Sequence, residues 1–254
     1  MIACLQNRWH FTKLALGGLV LLALAACSQE KKAEAAPSDP YVAAGKLAEL
    51  PTDHVLGDAD APVQIVEYAS LQCHHCRDFE VGSADHAAVF PQLEEKYIKT
   101  GKVRFIFRDY PLDAFATAAT LAANCVAGTT GDEKPTDAEN TRYFATVKLL
   151  YSQLDYWYLN AGTADVVMKR LPEVLRSAGM SEAAFQSCLD NESLLARVRA
   201  GYDEASSKFG ISSTPTFFIN GEKHSGVIDF DKLEAILSKL LPGDAPTATP
   251  QQVN

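Results

Sequence analysis

The stretch VQIVEYASLQCHHCRDF (63–79) decides how the rest of the chain is read. Its first eight residues follow Pro62, are rich in apolar and β-branched types, and mark a buried strand. A helix is expected to start at Cys73, the first cysteine of a C-x-x-C motif. At a helix N-terminus the unpaired backbone N–H groups and the helix dipole favour an anion, so the Cys73 thiolate is stabilised. Thiolate is the nucleophile in thiol–disulfide exchange. Cys76 lies one turn further on the same face, within reach of a disulfide.

Other readings of the motif fit less well. A closed zinc site usually needs a second ligand pair at a distance. The chain has no second C-x-x-C and no H-x3-H, and His54, His86 and His224 are scattered. No metal and no cofactor are therefore expected beyond the Cys73–Cys76 pair itself. A purely structural disulfide here would close a very small loop and gain little entropy. His75 beside the Cys73 sulfur adds a cation that favours thiolate, which makes the disulfide form a stronger oxidant. Glu67, six positions before Cys73, is flanked by apolar strand residues. A desolvated carboxylate there has a raised pKa and can exchange a proton with Cys76; the alternative is a surface charge on a strand edge. Pro215, in STPTFF, starts a later strand and, in a tight turn, can be cis.

Working outward, KVRFIFRDY (102–110) is a second strand. A helix is expected between the two strands from Cys73 to about Thr100, with Gly82 and Pro91 as points of interruption. This β-α-β order favours a parallel pair. Residues 113–209 are rich in Ala, Leu, Glu and Lys and predict four or five helices, broken by the loop TTGDEKPTDAEN (129–140). PTFFING (215–221) and EKHSGVI (222–228) predict a hairpin turning at Asn220-Gly221. DFDKLEAILSKLL (229–241) is an amphipathic helix with Asp229 as N-cap.

The ends of the chain read differently. Arg8 and Lys13 precede the apolar run LALGGLVLLALAA (14–26), the pattern of a signal peptide over residues 1–26. LAAC (24–27) resembles a bacterial lipobox, with Cys27 as the lipidated residue; ordinary cleavage after Ala25 is the alternative. Residues 27–50 are expected to be a tether with a short helix near 41–49, and 242–254 a disordered tail. The formal charge of −9 becomes more negative once the basic leader is removed, which argues against nucleic acid as a partner. Of six cysteines, Cys4 goes with the signal and Cys27 to lipid. The four left, in an exported protein, allow two disulfides.

VEYASLQCHHC together with GISSTPTFFING resembles the DsbA-like thiol–disulfide oxidoreductases of the thioredoxin superfamily, and GDADAPVQIVEY looks like that family's entry into its first core strand. The resemblance covers roughly 51–241. It implies an α/β thioredoxin fold (51–112 and 210–241) carrying an inserted all-helical domain (113–209). Cys73 then looks like the attacking cysteine and Cys76 like the buried resolving one. His75 matches the thiolate-stabilising histidine and Glu67 the buried acid. Thr214-Pro215 matches the cis-proline loop, where the Thr214 backbone pairs with an extended substrate. His74, Thr214 and Pro215 make the substrate-facing set. The family's oxidases most often have Pro where this chain has His74, and Thr before the cis-proline is common in isomerase-like relatives too. Cys125 and Cys188, both in predicted helices of the insertion, are expected to pair as a structural disulfide; two free buried thiols are the alternative.

The resemblance implies a monomeric, lipid-anchored periplasmic enzyme that introduces disulfides into exported proteins with free thiols, reoxidised by a quinone-linked membrane partner. The alternatives are a reductase or isomerase of the same fold, or a non-catalytic metal-handling lipoprotein.

Overall fold

Every residue of the strand Val63–Ala69 is buried, with exposures of 0–3%. A strand covered on both faces is expected when its neighbours include a parallel partner and a helical crossover. The computed structural model describes residues 42, 43 and 45–241. The expected signal peptide, Cys27, most of the tether and the tail lie outside the described residues.

In chain order the elements begin β1 (Val42–Ala43), β2 (Lys46–Leu47), β3 (His54–Leu56), β4 (Val63–Ala69) and α1 (His74–Glu80). Next come α2 (Phe90–Leu93), continued by a π-helical turn Glu94–Ile98, and β5 (Val103–Asp109). The helical block is α3 (Ala114–Ala127), α4 (Asp137–Ser152), α5 (Ala164–Leu175), α6 (Glu182–Leu189) and α7 (Glu192–Lys208), with a π-helical turn at Asp155–Leu159. β6 (Thr216–Ile219), β7 (Glu222–Ser225) and α8 (Phe230–Leu240) close the fold. The five-stranded sheet has the order β3-β5-β4-β6-β7, with β4 and β5 parallel and the other pairs antiparallel.

The two faces of β4 serve different layers. Val63, Ile65 and Ala69 pack in one apolar cluster with α1, α3 and α4. Val66 and Tyr68 pack in another with Ile106, Phe218, Ala205 and Ile211. The polar residues of β5 that face this second layer are neutralised there. Arg108 makes a bidentate pair with Asp53, both contacts 2.8 Å, and Arg104 pairs with Glu49. Two-pronged Arg–carboxylate pairs fix geometry as well as charge.

These pairs show why the ordered domain starts before residue 51. The expected helix near 41–49 is replaced by two short antiparallel strands, β1 and β2, around Gly45, whose φ is +80°. The Gln64 side chain donates to the Leu47 carbonyl (3.1 Å) and accepts from the Leu47 N–H (2.9 Å). The last residues of the expected tether are thus held against the sheet. β3 was not anticipated either; it is a three-residue strand that pairs with the edge of β5.

The helix expected from Cys73 breaks at Gly82, one of the two points of interruption, and resumes as α2. Gly82 adopts φ +75°, and a Cβ there would lie 2.8 Å from the His86 carbonyl oxygen, so the chain turns at glycine. Pro91 sits in the first turn of α2 and begins that helix, the position where a missing N–H costs least. The remaining boundaries follow local chemistry. Asp113 caps α3, Thr136 and Glu139 form a capping box on α4, and Asp229 caps α8. Asn220 (φ +44°) and Gly221 (φ +79°) make the β6–β7 turn.

Candidate active site

Cys73 occupies the N-cap position of α1, with extended backbone and a turn behind it in which its N–H donates to the Ser70 carbonyl at 2.9 Å. That turn is anchored from the helical block: the Tyr151 hydroxyl donates to the same Ser70 carbonyl at 3.1 Å. The Leu112 N–H donates to the Ser70 hydroxyl at 3.2 Å. Both cysteines are free thiols; Cys73 is 8% exposed and Cys76 is 0% exposed.

The environment divides the two thiols. Cys73 is pulled from the ordinary 9.0 to about 5. The largest cause is the Cys76 thiol donating to the Cys73 sulfur; burial opposes it, while Thr214 and the backbone N–H groups of Cys76 and His75 add to it. Cys76 is pushed well above 9.0, first by burial and then by that same hydrogen bond. One thiol is thus an anion at neutral pH and the other holds its proton.

The second wall comes from far along the chain. The Cys73 sulfur lies 3.4 Å from the carbonyl oxygen of Thr214, next to a cis Thr214–Pro215 peptide bond. Gly226 donates to the Pro215 carbonyl (2.9 Å) and the Thr216 hydroxyl to Ser213 (2.8 Å), so hairpin and turn hold this loop in place.

Behind the thiols lies a carboxyl pair. Glu67 is on β4, between Phe107 of β5 and Phe217 of β6, and is 0% exposed. It is not an edge residue. Burial raises its pKa well above 4.5, with Glu80 next and the Cys73 charge adding to it. Glu80, the last residue of α1, is 4% exposed and is raised to about 8, again by burial first. Burial thus favours the protonated form of each, and two carboxylates in one apolar site cannot both ionise. Glu80 escaped the sequence reading, although its spacing was informative: Cys73, Cys76 and Glu80 stand at i, i+3 and i+7, one helix face. Tyr151 carried no local signal at all.

His74 and His75 are both exposed, and their rings lie against each other with centroids 3.9 Å apart. His75 acts on the Cys73 thiolate through its backbone N–H, where the sequence pointed to its imidazole. Cys125 of α3 and Cys188 of α6 form a disulfide (Cα–Cα 6.3 Å) inside the helical block. His54 stacks on Tyr143 and bonds Asn124, in a separate polar cluster. Among the described residues no group of three or more His, Cys, Asp or Glu is placed to hold a metal.

A thioredoxin family model matches residues 49–239. α-DsbA1 of Wolbachia pipientis, a solved structure, superposes with a TM-score of 0.61 at 30% identity, covering 78% of this chain and 96% of that one. The chain is a DsbA-like member of the thioredoxin family. A Bacillus anthracis relative named for disulfide bond formation is 26% identical over 190 residues, 75% of this chain and 79% of its own. A Rickettsia conorii relative named for protein-disulfide oxidoreductase activity is 27% identical over 190 residues, 74% of this chain. The match spans only 60% of that relative's length. The Cys73–Cys76 pair of this DsbA-like chain thus sits where α1 meets the loop before β6.

Proposed function

We propose that the chain is an exported thiol–disulfide oxidoreductase that works as a dithiol oxidase. The observation that carries this reading is the split between the two cysteines, an ionised Cys73 beside a protonated Cys76. A nucleophile at about 5 instead of 9.0 favours the reduced pair at pH 7 by about 3 kcal/mol, or roughly 60 mV. Stabilising the reduced form makes the disulfide form give up its bond readily to substrate.

In the oxidised protein a substrate thiolate attacks the Cys73 sulfur. A substrate–Cys73 bond forms, the Cys73–Cys76 bond breaks, and Cys76 leaves as thiolate. The buried Glu67 carboxyl supplies the proton that makes Cys76 a thiol. A second substrate thiolate then attacks the substrate sulfur, a substrate disulfide forms, and Cys73 leaves as the stable thiolate. The substrate has lost two electrons, and the pair has gained them. Thr214 and Pro215, with His74 on the solvent side, form the surface where an extended substrate strand lies beside Cys73.

The apolar run and LAAC sequence support export and lipidation at Cys27, and work in the periplasm on exported proteins with free thiols is the reading consistent with them. Reoxidation then falls to a quinone-linked membrane partner. The deciding experiment is the equilibrium potential of the 73–76 pair against glutathione. A value near about −120 mV supports the oxidase, and one near about −270 mV rejects it in favour of a reductase.

A further inference from the structure

Ser70 follows β4, is 1% exposed and touches both members of the redox pair. Its carbonyl accepts the Cys73 N–H at 2.9 Å, and its own N–H is one of the groups that act on Cys76. A carbonyl oxygen has two lone pairs. The second is taken by the Tyr151 hydroxyl at 3.1 Å, from α4 and 81 positions away. Tyr151 is 0% exposed, so this bond is closed to solvent at both ends. The helical block also reaches α1 through Arg77 and Asp155 at 3.2 Å, but the Asp155 side chain is 66% exposed. Exposed pairs of that kind are weak and screened by salt. The buried Tyr151 bond is the firmer link.

Cys73 is fixed from two directions. Its N–H is tied back to Ser70, and its carbonyl accepts the Arg77 N–H at 3.0 Å as the first bond of α1. Between these bonds its backbone is extended, with φ −80° and ψ 117°. A residue in this N-cap conformation turns its side chain toward the free N–H groups of the second and third helical residues. Here those residues are His75 and Cys76, the two backbone donors that favour the Cys73 thiolate. A Cys73 that slips into helical angles turns its sulfur away from both.

Resting on the oxidoreductase reading above, we infer that Tyr151 is a positioning residue: through the Ser70 carbonyl it holds Cys73 in the N-cap conformation, and by this bond the helical block sets how oxidising the Cys73–Cys76 pair is. Tyr151 acts on the turn, and the turn acts on the sulfur. The atoms and electrons exchanged with substrate stay the same. The disulfide form has no thiolate to stabilise, so a loosened turn disfavours the reduced form alone and makes the pair a weaker oxidant.

The test is Tyr151→Phe in the full chain, which keeps the buried ring and removes the donor. The readouts are the redox equilibrium of the 73–76 pair against glutathione and the pH titration of thiolate absorbance. The constant for reduction by glutathione is expected to fall about threefold and the titration midpoint to rise by about half a unit, the scale of one modest net hydrogen bond. Placing 4-aminophenylalanine at position 151, where its para N–H still donates, is expected to restore both. Tyr143→Phe removes another buried hydroxyl from the same helix, one that donates to Asp109 at 2.8 Å. It is expected to lower stability and leave both readouts at their wild-type values. Tyr151→Met, which fills most of the site without a donor, takes the place of Tyr151→Phe if that variant does not fold. A wild-type equilibrium and midpoint in the Tyr151 variant overturn the assignment, whatever its stability. So does a Tyr143→Phe variant that shifts both as far, or a 4-aminophenylalanine variant that recovers neither. A wild-type chain whose 73–76 pair does not equilibrate with glutathione defeats the oxidoreductase reading itself, so the two failures are told apart.

Discussion

The Cys73 sulfur lies 3.4 Å from the Thr214 carbonyl oxygen, although 141 positions separate the two residues. The helical block fills most of that interval, and it leaves the sheet at the end of β5 and returns at β6. β6 then pairs with β4, with Tyr68 opposite Thr216, and this register brings the loop before β6 to the start of α1. The nucleophile and the loop beside it are thus neighbours because two strands pair, not because the chain is local.

Two serine variants separate the sulfurs. Cys73→Ser is expected to reduce peptide oxidation to the uncatalysed rate. Cys76→Ser, mixed with the disulfide form of the peptide, is expected to accumulate a mixed disulfide visible as a non-reducing gel shift: the Cys73 thiolate opens the peptide disulfide, and no internal thiol remains to displace the bound half. Mixed disulfides on Cys76 in a Cys73→Ser protein would reverse the assignment of the attacking cysteine.

The reduced protein is expected to gain stability with pH where the oxidised protein does not. Cys73 titrates at about 5 when folded and at 9.0 when unfolded. A depressed folded value gives stabilisation that is complete above the unfolded value and is lost as pH falls through the folded one. Between pH 5 and pH 7, with a Cys73 value of about 5, the reduced form should therefore gain about 2 kcal/mol relative to the oxidised form. Urea unfolding of both forms at the two pH values checks this, and parallel curves would reject the ionised Cys73. Thiolate absorbance at 240 nm should titrate with a midpoint of about 5.

Glu67→Leu is expected to stabilise the fold at neutral pH. A carboxyl whose folded value is raised stabilises fully only below the unfolded value, here 4.5, and that contribution is lost as pH rises toward the folded value. The unfolded chain ionises Glu67 freely, and the native site does not. Replacing a buried ionisable group by a well-packed apolar one yields roughly 2 kcal/mol. The gain should appear at pH 7 and shrink at pH 4 in thermal melts, while peptide oxidation slows. A variant that is less stable at pH 7 than at pH 4, relative to wild type, contradicts the buried neutral acid.

Removing the Cys125–Cys188 disulfide as a double alanine variant should destabilise without touching the chemistry. Its cysteines are 63 positions apart, and a loop of that size constrains the unfolded chain by about 4 kcal/mol in the entropy model. Denaturant unfolding should show the loss, with the potential of the 73–76 pair unchanged. A shifted potential would mean that α3 and α6 strain the active site.

Much of the site was legible because its signals are local. A β-branched run, a C-x-x-C at a helix start and Asn-Gly at the end of an apolar run each encode their element within a few residues. What was missed acts at a distance. β2 is held by the amide of Gln64, 17 positions away, and by Arg104 against Glu49, 55 positions away. Neither contact has a sequence period, so a polar, Ala-rich segment read as tether. The break after Glu80 depends on Gly82 finding backbone at 2.8 Å, which composition alone marked only as a point of weakness.

The sequence by itself determined the strand, the motif, the hairpin and the apolar faces, because hydrophobic period, turn chemistry and caps are properties of neighbouring residues. The tertiary structure decided the chemistry of the two thiols. Equal cysteines three positions apart differ because one end of α1 meets the Thr214 loop and solvent, while the other is sealed against Glu67 and Glu80. Burial and charge are set by what packs around a group, and those neighbours come from β4, β6 and α4, which only folding brings together.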